Sequence, residues 1–162
     1  MKLSTIIESA QEVLNTEDPV ILKRCANLVL GYIATNHREC VATQTFTVTN
    51  GKIKYNRFNK NFLGVKSVKI DGRVVAHTLY MDYIATPNGV VTVEYRYVPV
   101  FKNDNQKIVI EGISEQCMVY GVLTEYAVIC GMLNEAKVWA EKYETELFNN
   151  NPKYKNLRLP RG

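Results

Sequence analysis

The sequence predicts an α+β protein: an N-terminal helical hairpin, a small antiparallel β-sheet or sandwich of about six strands, two long C-terminal helices and an extended basic C-terminal arm. Three observations carry that expectation. Apolar residues recur at helical spacing before residue 36 and after residue 113; period-two alternation fills much of 41–98; and Asn-Gly, Asp-Gly and Pro-Asn-Gly breaks punctuate that alternating region. At 162 residues the chain is read as one domain, 1–150, with an arm at 151–162, and it can bury a core without disulfide or metal staples.

Leu3, Ile6, Ile7, Ala10, Val13 and Leu14 set a first helix over 4–15, with Thr5-x-x-Glu8 as a capping box. Asp18 and Pro19 supply the N-cap and first-turn proline of a second helix over 19–36, whose apolar face is Ile21, Leu22, Cys25, Leu28, Val29, Tyr32 and Ile33. After Cys40 the period changes to two: Thr43, Thr45, Thr47 and Thr49 alternate with Phe46 and Val48. Asn50-Gly51 predicts a hairpin to Lys52-Ile53-Lys54-Tyr55. Asp71-Gly72 predicts a second, between 68–70 and 73–75, and Pro87-Asn88-Gly89 a third, joining 79–85 to 90–98. On the last strand Val91, Val93, Tyr95 and Tyr97 face one way and Thr92, Glu94 and Arg96 the other.

Residues 102–106 are polar and read as a loop. Ser114 then caps a helix over 114–130, with Ile113 and Met118 at stapling positions. From Met118 to Cys130 this helix is apolar nearly all round, which predicts a buried element. The run is too short for a bilayer, whose span takes about 20 apolar residues, and Glu125 interrupts it. Gly131 breaks the pattern before an amphipathic helix over 134–149, with Met132, Ala136, Trp139, Tyr143 and Leu147 as its stripe and Glu135, Lys137, Glu141, Lys142, Glu144 and Glu146 opposite.

The formal net charge is +4, and Lys153, Lys155, Arg158 and Arg161 supply an equal charge in a terminal stretch without acids. The rest is neutral in sum, which argues against a globally basic nucleic-acid binder and for one basic arm carrying Tyr154, Leu157 and Leu159 as apolar anchors. Cys25, Cys40, Cys117 and Cys130 form no C-x-x-C pair and read as reduced core residues of a cytosolic product. The N-terminus leads straight into an amphipathic pattern, with no secretory apolar core and no membrane anchor expected.

Candidate chemistry is sparse. His37-x-x-Cys40 has ligand-type residues, but a zinc site takes about four ligands and no second pair stands near. Cys40 or Cys117 can be paired on paper with His37 or His77, yet no nucleophile elbow or oxyanion loop surrounds them. No phosphate-binding glycine motif is present, and Asp82 and Glu94 alternate with apolar residues as on a solvated strand. No catalytic residue, metal site or cofactor is therefore assigned. The stretch 52–73 carries Lys52, Lys54, Arg57, Lys60, Lys66, Lys69 and Arg73 against one acid, with Tyr55, Phe58 and Phe62 interleaved. It reads either as strand edges kept soluble by lysine or as a small nucleic-acid-binding surface with Lys52, Lys54, Lys66 and Lys69 on the phosphates.

Two stretches carry a resemblance. Asn88-Gly89-Val90-Val91-Thr92-Val93-Glu94-Tyr95-Arg96-Tyr97-Val98-Pro99 is similar to the G-x-x-x-V-x-Y-x-x-x-P strand of tailed-bacteriophage head-to-tail adaptor (connector) proteins. The run from Tyr120-Gly121-Val122 through Glu125-Tyr126 and Gly131 to Glu135-Ala136-Lys137-Val138-Trp139 resembles that family's Y-G-(V/A)-A-x-E-Y-C-L-x-x-G-x-x-x-E-A-x-x-W helix pair, with Leu123 where a small residue is expected. The order of parts also fits, ending in a basic arm. The resemblance implies a non-enzymatic virion protein of the neck, made in the bacterial host cytoplasm, forming a ring that is usually dodecameric. Implied partners are the portal protein, other copies of the chain and an adjacent tail, nozzle or second ring protein, with no membrane. Trp139, Tyr143, Tyr154, Leu157, Arg158 and Arg161 would lie against the portal or a neighbouring subunit. Double-stranded DNA passing through the lumen would meet Lys52, Lys54, Lys66 and Lys69 only weakly and transiently.

Overall fold

A computed structural model describes residues 1–15 and 18–149. It is α+β, with four helices and antiparallel sheets of four and three strands. Backbone contacts gather the described residues into two compact units: Met1–Ile33 together with residues 100–149, and Ala34–Pro99.

In the first unit, α1 (Leu3–Leu14) buries Leu3, Ile6, Ile7 and Ala10 along one stripe. The expected capping box does not form: the N-cap is Lys2, without a side-chain bond, and Thr5 lies inside the first turn. The loop after residue 100 takes over the cap's role. Lys2 bridges to Lys107 in extended conformation, the Ser4 N–H donates to Asp104 O at 3.1 Å, and the Met1 ammonium donates to Ile108 O at 3.0 Å.

Helix α2 (Pro19–Asn36) has the expected bounds, and Asp18 Oδ1 accepts from the Val20 and Ile21 amides at 3.0 and 3.4 Å. Its buried arc is Leu22, Cys25, Ala26, Val29, Leu30 and Ile33. Leu28 and Tyr32, expected on that face, are half-exposed, because at about 100° per residue they fall well to one side of the arc.

Helix α3 (Glu115–Ile129) starts as expected: Ser114 Oγ accepts from the Cys117 N–H at 3.0 Å. Cys117, Met118, Val119, Gly121, Val122, Leu123 and Ala127 are buried, but Val128 and Ile129 are half-exposed, so burial does not extend all round to its C-terminus. The reversal into α4 (Leu133–Asn149) is a Schellman turn, with Met132 N–H donating to Ala127 O at 2.8 Å and Gly131 N–H to Val128 O at 3.1 Å. Gly131 sits at φ 72°, which a glycine adopts without strain. Ala136, Tyr143 and Leu147 form the buried stripe of α4, which packs along α3; α3 also receives α1.

The second unit holds seven strands: β1 (Val41–Val48), β2 (Lys52–Lys54), β3 (Asn61–Ile70), β4 (Arg73–Val74), β5 (Thr78–Leu79), β6 (Tyr83–Ala85) and β7 (Gly89–Val98), with a 3-10 turn at Tyr55–Arg57. Their spatial orders are β1-β7-β3-β4 and β2-β6-β5. Of the three expected hairpins, only Asp71-Gly72 is one: Ile70 pairs with Arg73, and φ is 50° and 73° at the two turn residues, the type I′ signature.

Asn50-Gly51 and Pro87-Asn88-Gly89 reverse the chain without pairing the flanking strands. β1 pairs with β7 and β2 with β6, so each break is a corner at which the chain changes sheets. The two corners are tied together, Gly51 N–H donating to Asn88 Oδ1 at 2.7 Å and Thr86 N–H to Gly51 O at 3.0 Å. One core serves both sheets: Phe46, Val48, Val68, Val91, Val93 and Tyr95 from the larger, Ile53 and Ile84 from the smaller, and Phe58 from the connection after β2. Val91, Val93 and Tyr95 point inward as expected.

Candidate functional site

The residues expected to bind partners fall into three places. In the helical unit, Trp139 is partly buried and its ring stacks on Tyr120, centroids 6.0 Å apart, with Lys142 Nζ 4.9 Å above the indole. Tyr143, one turn on, is only 9% exposed and belongs to the unit's own packing. Its hydroxyl is buried with no hydrogen-bond partner among the described residues. Burial, followed by the charges of Cys117, Tyr32, Glu125 and Glu144, pushes its ionisation well above the ordinary tyrosine range. Tyr154, Leu157, Arg158 and Arg161 lie outside the described residues.

The residues that carry the family-like helix motif have definite packing roles. Tyr120 and Trp139 bind α3 to α4 by their stacked rings, Gly131 makes the reversal, and Gly121 permits close approach to Val29 and Tyr143. The outer face of α4 presents Glu135, Glu141 and Glu144 beside Lys137 and Lys142, all exposed, as expected of an amphipathic helix.

In the strand unit the four lysines are divided between the two sheets. Lys52 and Lys54 are exposed on β2 of the three-stranded sheet, whereas Lys66 and Lys69 lie on β3 of the four-stranded one. Lys66 Nζ donates to Glu39 Oε2 at 2.7 Å, and Arg96 Nη1 stands 4.0 Å from Glu39 Oε1, so a carboxylate holds this cluster. That hydrogen bond and charge raise the Lys66 ionisation above its ordinary value. Lys52 Nζ lies 4.7 Å over the Tyr83 ring.

The interleaved aromatics turn inward. Phe58 packs edge-on against Phe46 and Tyr95 at 4.9 and 4.5 Å, and Tyr55 stacks on Phe62 at 4.6 Å. A nucleic-acid surface needs ring faces open to bases, and these rings face one another.

Of the four thiols, Cys25, Cys40 and Cys117 are buried, while Cys130, expected in the core, is exposed. Burial pushes the Cys25 thiol from its ordinary 9.0 to about 11, aided by Glu125 and Cys130. Burial also raises Cys40, against a smaller opposing effect of Lys60. His37 is lowered by burial and then by the Arg38 charge. A reactive thiol needs the reverse shift and access, and Cys25, Cys40 and Cys117 are all buried. Among the described residues no group of three or more His, Cys, Asp or Glu side chains could hold a metal ion, and no helix is long and apolar enough to cross a membrane.

Two features escaped sequence reasoning. Glu39 as the anchor of Lys66 and Arg96 depends on a contact 27 residues away in the chain for Lys66, which no local pattern reports. That β1 is an edge strand among the described residues depends on sheet order, although an uncharged run of Thr, Gln, Val and Phe was its available signal. In comparison with known proteins, no family model matches the chain and no curated protein sequence matches it.

Proposed function

We propose that this chain is a non-enzymatic structural subunit of a tailed-phage virion, forming a ring of about a dozen copies that joins the portal vertex of the head to the tail and lets DNA through its lumen. What supports the reading is the α3–α4 pair. The residues through which the sequence resembles head-to-tail adaptors are those on which the pair depends: Tyr120 stacked on Trp139, Gly121 under Tyr143, and Gly131 in the Schellman turn. The order of two helices, a strand region and two long helices agrees with the same reading. In it, Trp139 and the basic arm face the portal or a neighbouring subunit, an adjacent tail or second ring protein sits on the strand unit, and the lysines of β2 and β3 make no more than weak DNA contacts. The assembled place is the virion neck, after synthesis in the bacterial host cytoplasm.

Mass photometry of the full chain and of a version ending at Asn151, each alone and mixed with a portal ring, tests this. The full chain forms or joins a ring of about a dozen copies and the shortened one does not. A full chain that stays monomeric under every condition and ignores the portal overturns the reading.

A further inference from the structure

Among the described residues the two sheets have four edge strands, and they are not alike. β4 and β5 are two residues long and β2 is three, with lysine at both ends of β2 and Arg73 on β4. Short, charged edges are how proteins prevent unwanted strand pairing. β1 is the fourth edge. It has eight residues, Val-Ala-Thr-Gln-Thr-Phe-Thr-Val, with no charge, no proline and no glycine.

The register fixes which of its backbone groups point outward. Tyr97 N–H donates to Cys40 O at 2.9 Å, and Val41 stands opposite Arg96. In an antiparallel ladder, hydrogen-bonded pairs alternate, so Cys40, Ala42, Gln44, Phe46 and Val48 direct their N–H and C=O groups at β7. Val41, Thr43, Thr45 and Thr47 direct theirs away from it. Those four residues are exposed, and no backbone partner meets them on that side among the described residues. The opposite margin of the same sheet contrasts with this: β3 carries two register shifts, at Phe62/Gly64 and Val65/Ser67, and the basic Lys66 and Lys69.

We propose that the β1 edge pairs with β1 of a second copy, antiparallel about a two-fold axis through Thr45. The argument for a second copy is self-complementarity. With Thr45 opposite itself, Thr43 meets Thr47, Ala42 meets Val48 and Gln44 meets Phe46. Every pair is uncharged, and threonine on threonine is a favourable cross-strand match. Self-pairing of β2 about Ile53 would instead set Lys52 against Lys54, like charge against like. The outward groups fall on odd positions, and antiparallel pairing about Thr45 matches odd with odd, so each outward N–H meets an outward C=O. The resulting eight-stranded sheet would run continuously across two copies. A two-fold contact closes at two, whereas the ring contact is cyclic; the two interfaces are therefore different surfaces, and this inference does not rest on the ring.

The test uses the full chain and Thr43→Lys/Thr47→Lys. Both positions lie on the outward face of an edge strand, where lysine is well tolerated, and Thr43 stands beside Glu94 on β7. Circular dichroism checks that the variant is folded. Sedimentation velocity over a concentration series is expected to show a monomer–dimer equilibrium for the native chain and a dissociation constant weakened roughly tenfold or more in the variant, because the substitutions face each other twice across the axis. Hydrogen exchange supplies a measurement without substitution: the amides of Val41, Thr43, Thr45 and Thr47 slow as concentration rises. A native chain monomeric at every concentration, a dimer indifferent to the substitutions, or amides indifferent to concentration overturns the proposal. A ring of about a dozen copies unchanged by Thr43→Lys/Thr47→Lys, with no dimer among its precursors, overturns the strand pairing while leaving the ring reading intact.

Discussion

A Cβ built on Gly121 would lie 2.7 Å from Val29 Cγ1 and 3.1 Å from Tyr143 Cε2, distances at which atoms must move. Glycine in mid-helix costs about 1 kcal/mol of helix propensity relative to alanine, so its presence in a helix with no other glycine is explained by this approach of α2 and α4 to α3. Gly121→Ala should gain that propensity and lose more, since forcing a methyl into a packed core costs typically 1–3 kcal/mol. The expected net is a destabilisation of about 1 kcal/mol, read as a lower urea midpoint with an unchanged slope. Because the closest atom belongs to the far end of Val29, Val29→Ala should relieve the clash when combined with Gly121→Ala, and a double-mutant cycle should show favourable coupling. An alanine variant as stable as the native chain would mean that the helices separate at no cost. Tyr143 shows the other side of the same packing: its ring lies over Gly121, and its buried hydroxyl has no hydrogen-bond partner among the described residues.

At the scale of elements, the turns decide the architecture of the strand unit. Asp71-Gly72 has two positive φ values and pairs the strands it joins, whereas Gly51 at φ 68° and Gly89 at φ 128° turn the chain from one sheet into the other. Asn88 is the residue that joins these corners, through the 2.7 Å bond from Gly51 N–H. Asn88→Ala removes one neutral hydrogen bond at an exposed site and should cost about 1 kcal/mol, with hydrogen exchange accelerated at Gly51 and Thr86 before other amides of β2 and β6. Unchanged exchange at Gly51 and Thr86 would show that the corners hold independently. The helices were legible in the sequence because caps and apolar stripes are local: Asp18, Ser114 and Gly131 each act within a few residues. Most strands were legible for the same reason, although 79–85, read as one, divides into β5 and β6; partner choice was not legible. Asn50-Gly51 offers the same local chemistry to a hairpin and to a sheet corner, and only the distant β7, which pairs with β1 on one side and β3 on the other, decides between them. The length of β3 was hidden by its two bulges, which break the alternation that marks a strand. The site residues divided likewise: Trp139 stands where its helical stripe placed it, while Lys52 and Lys66, close in sequence, ended on different sheets.

For the molecule as a whole, the buried acids set the pH range of stability. The Cys25 thiol, lifted to about 11, the Cys40 thiol and the Tyr143 and Tyr55 hydroxyls all hold their protons more tightly in the folded chain than in the unfolded one, chiefly through burial, and the Lys66 ammonium does so through Glu39. The unfolded chain releases those protons first as pH rises. It therefore binds fewer protons than the folded chain above the ordinary thiol value of 9.0, and stability must fall with pH there. His37 acts at the other end. Burial and Arg38 lower its ionisation below the ordinary 6.5, so the unfolded chain takes up a proton that the folded one resists, and stability falls as pH drops through that value. The melting temperature should accordingly be level between the two limits and decline on the alkaline side between pH 9 and about 11. Calorimetry across pH 6 to 10.5 in steps of about half a unit checks this, with both units' transitions followed separately if they resolve. Cys25→Ala lowers the plateau by creating a small cavity but should flatten the decline above 9, because the contribution of its raised thiol is then gone. Tyr143→Phe should leave the curve's shape unchanged up to about pH 9 and flatten it above, as tyrosine in the unfolded chain ionises through its ordinary 10.0. A native melting temperature that stays level from pH 8 to 10.5 would contradict the burial of these thiols and hydroxyls, and with it the packing that places Cys25 and Tyr143 inside the helical unit.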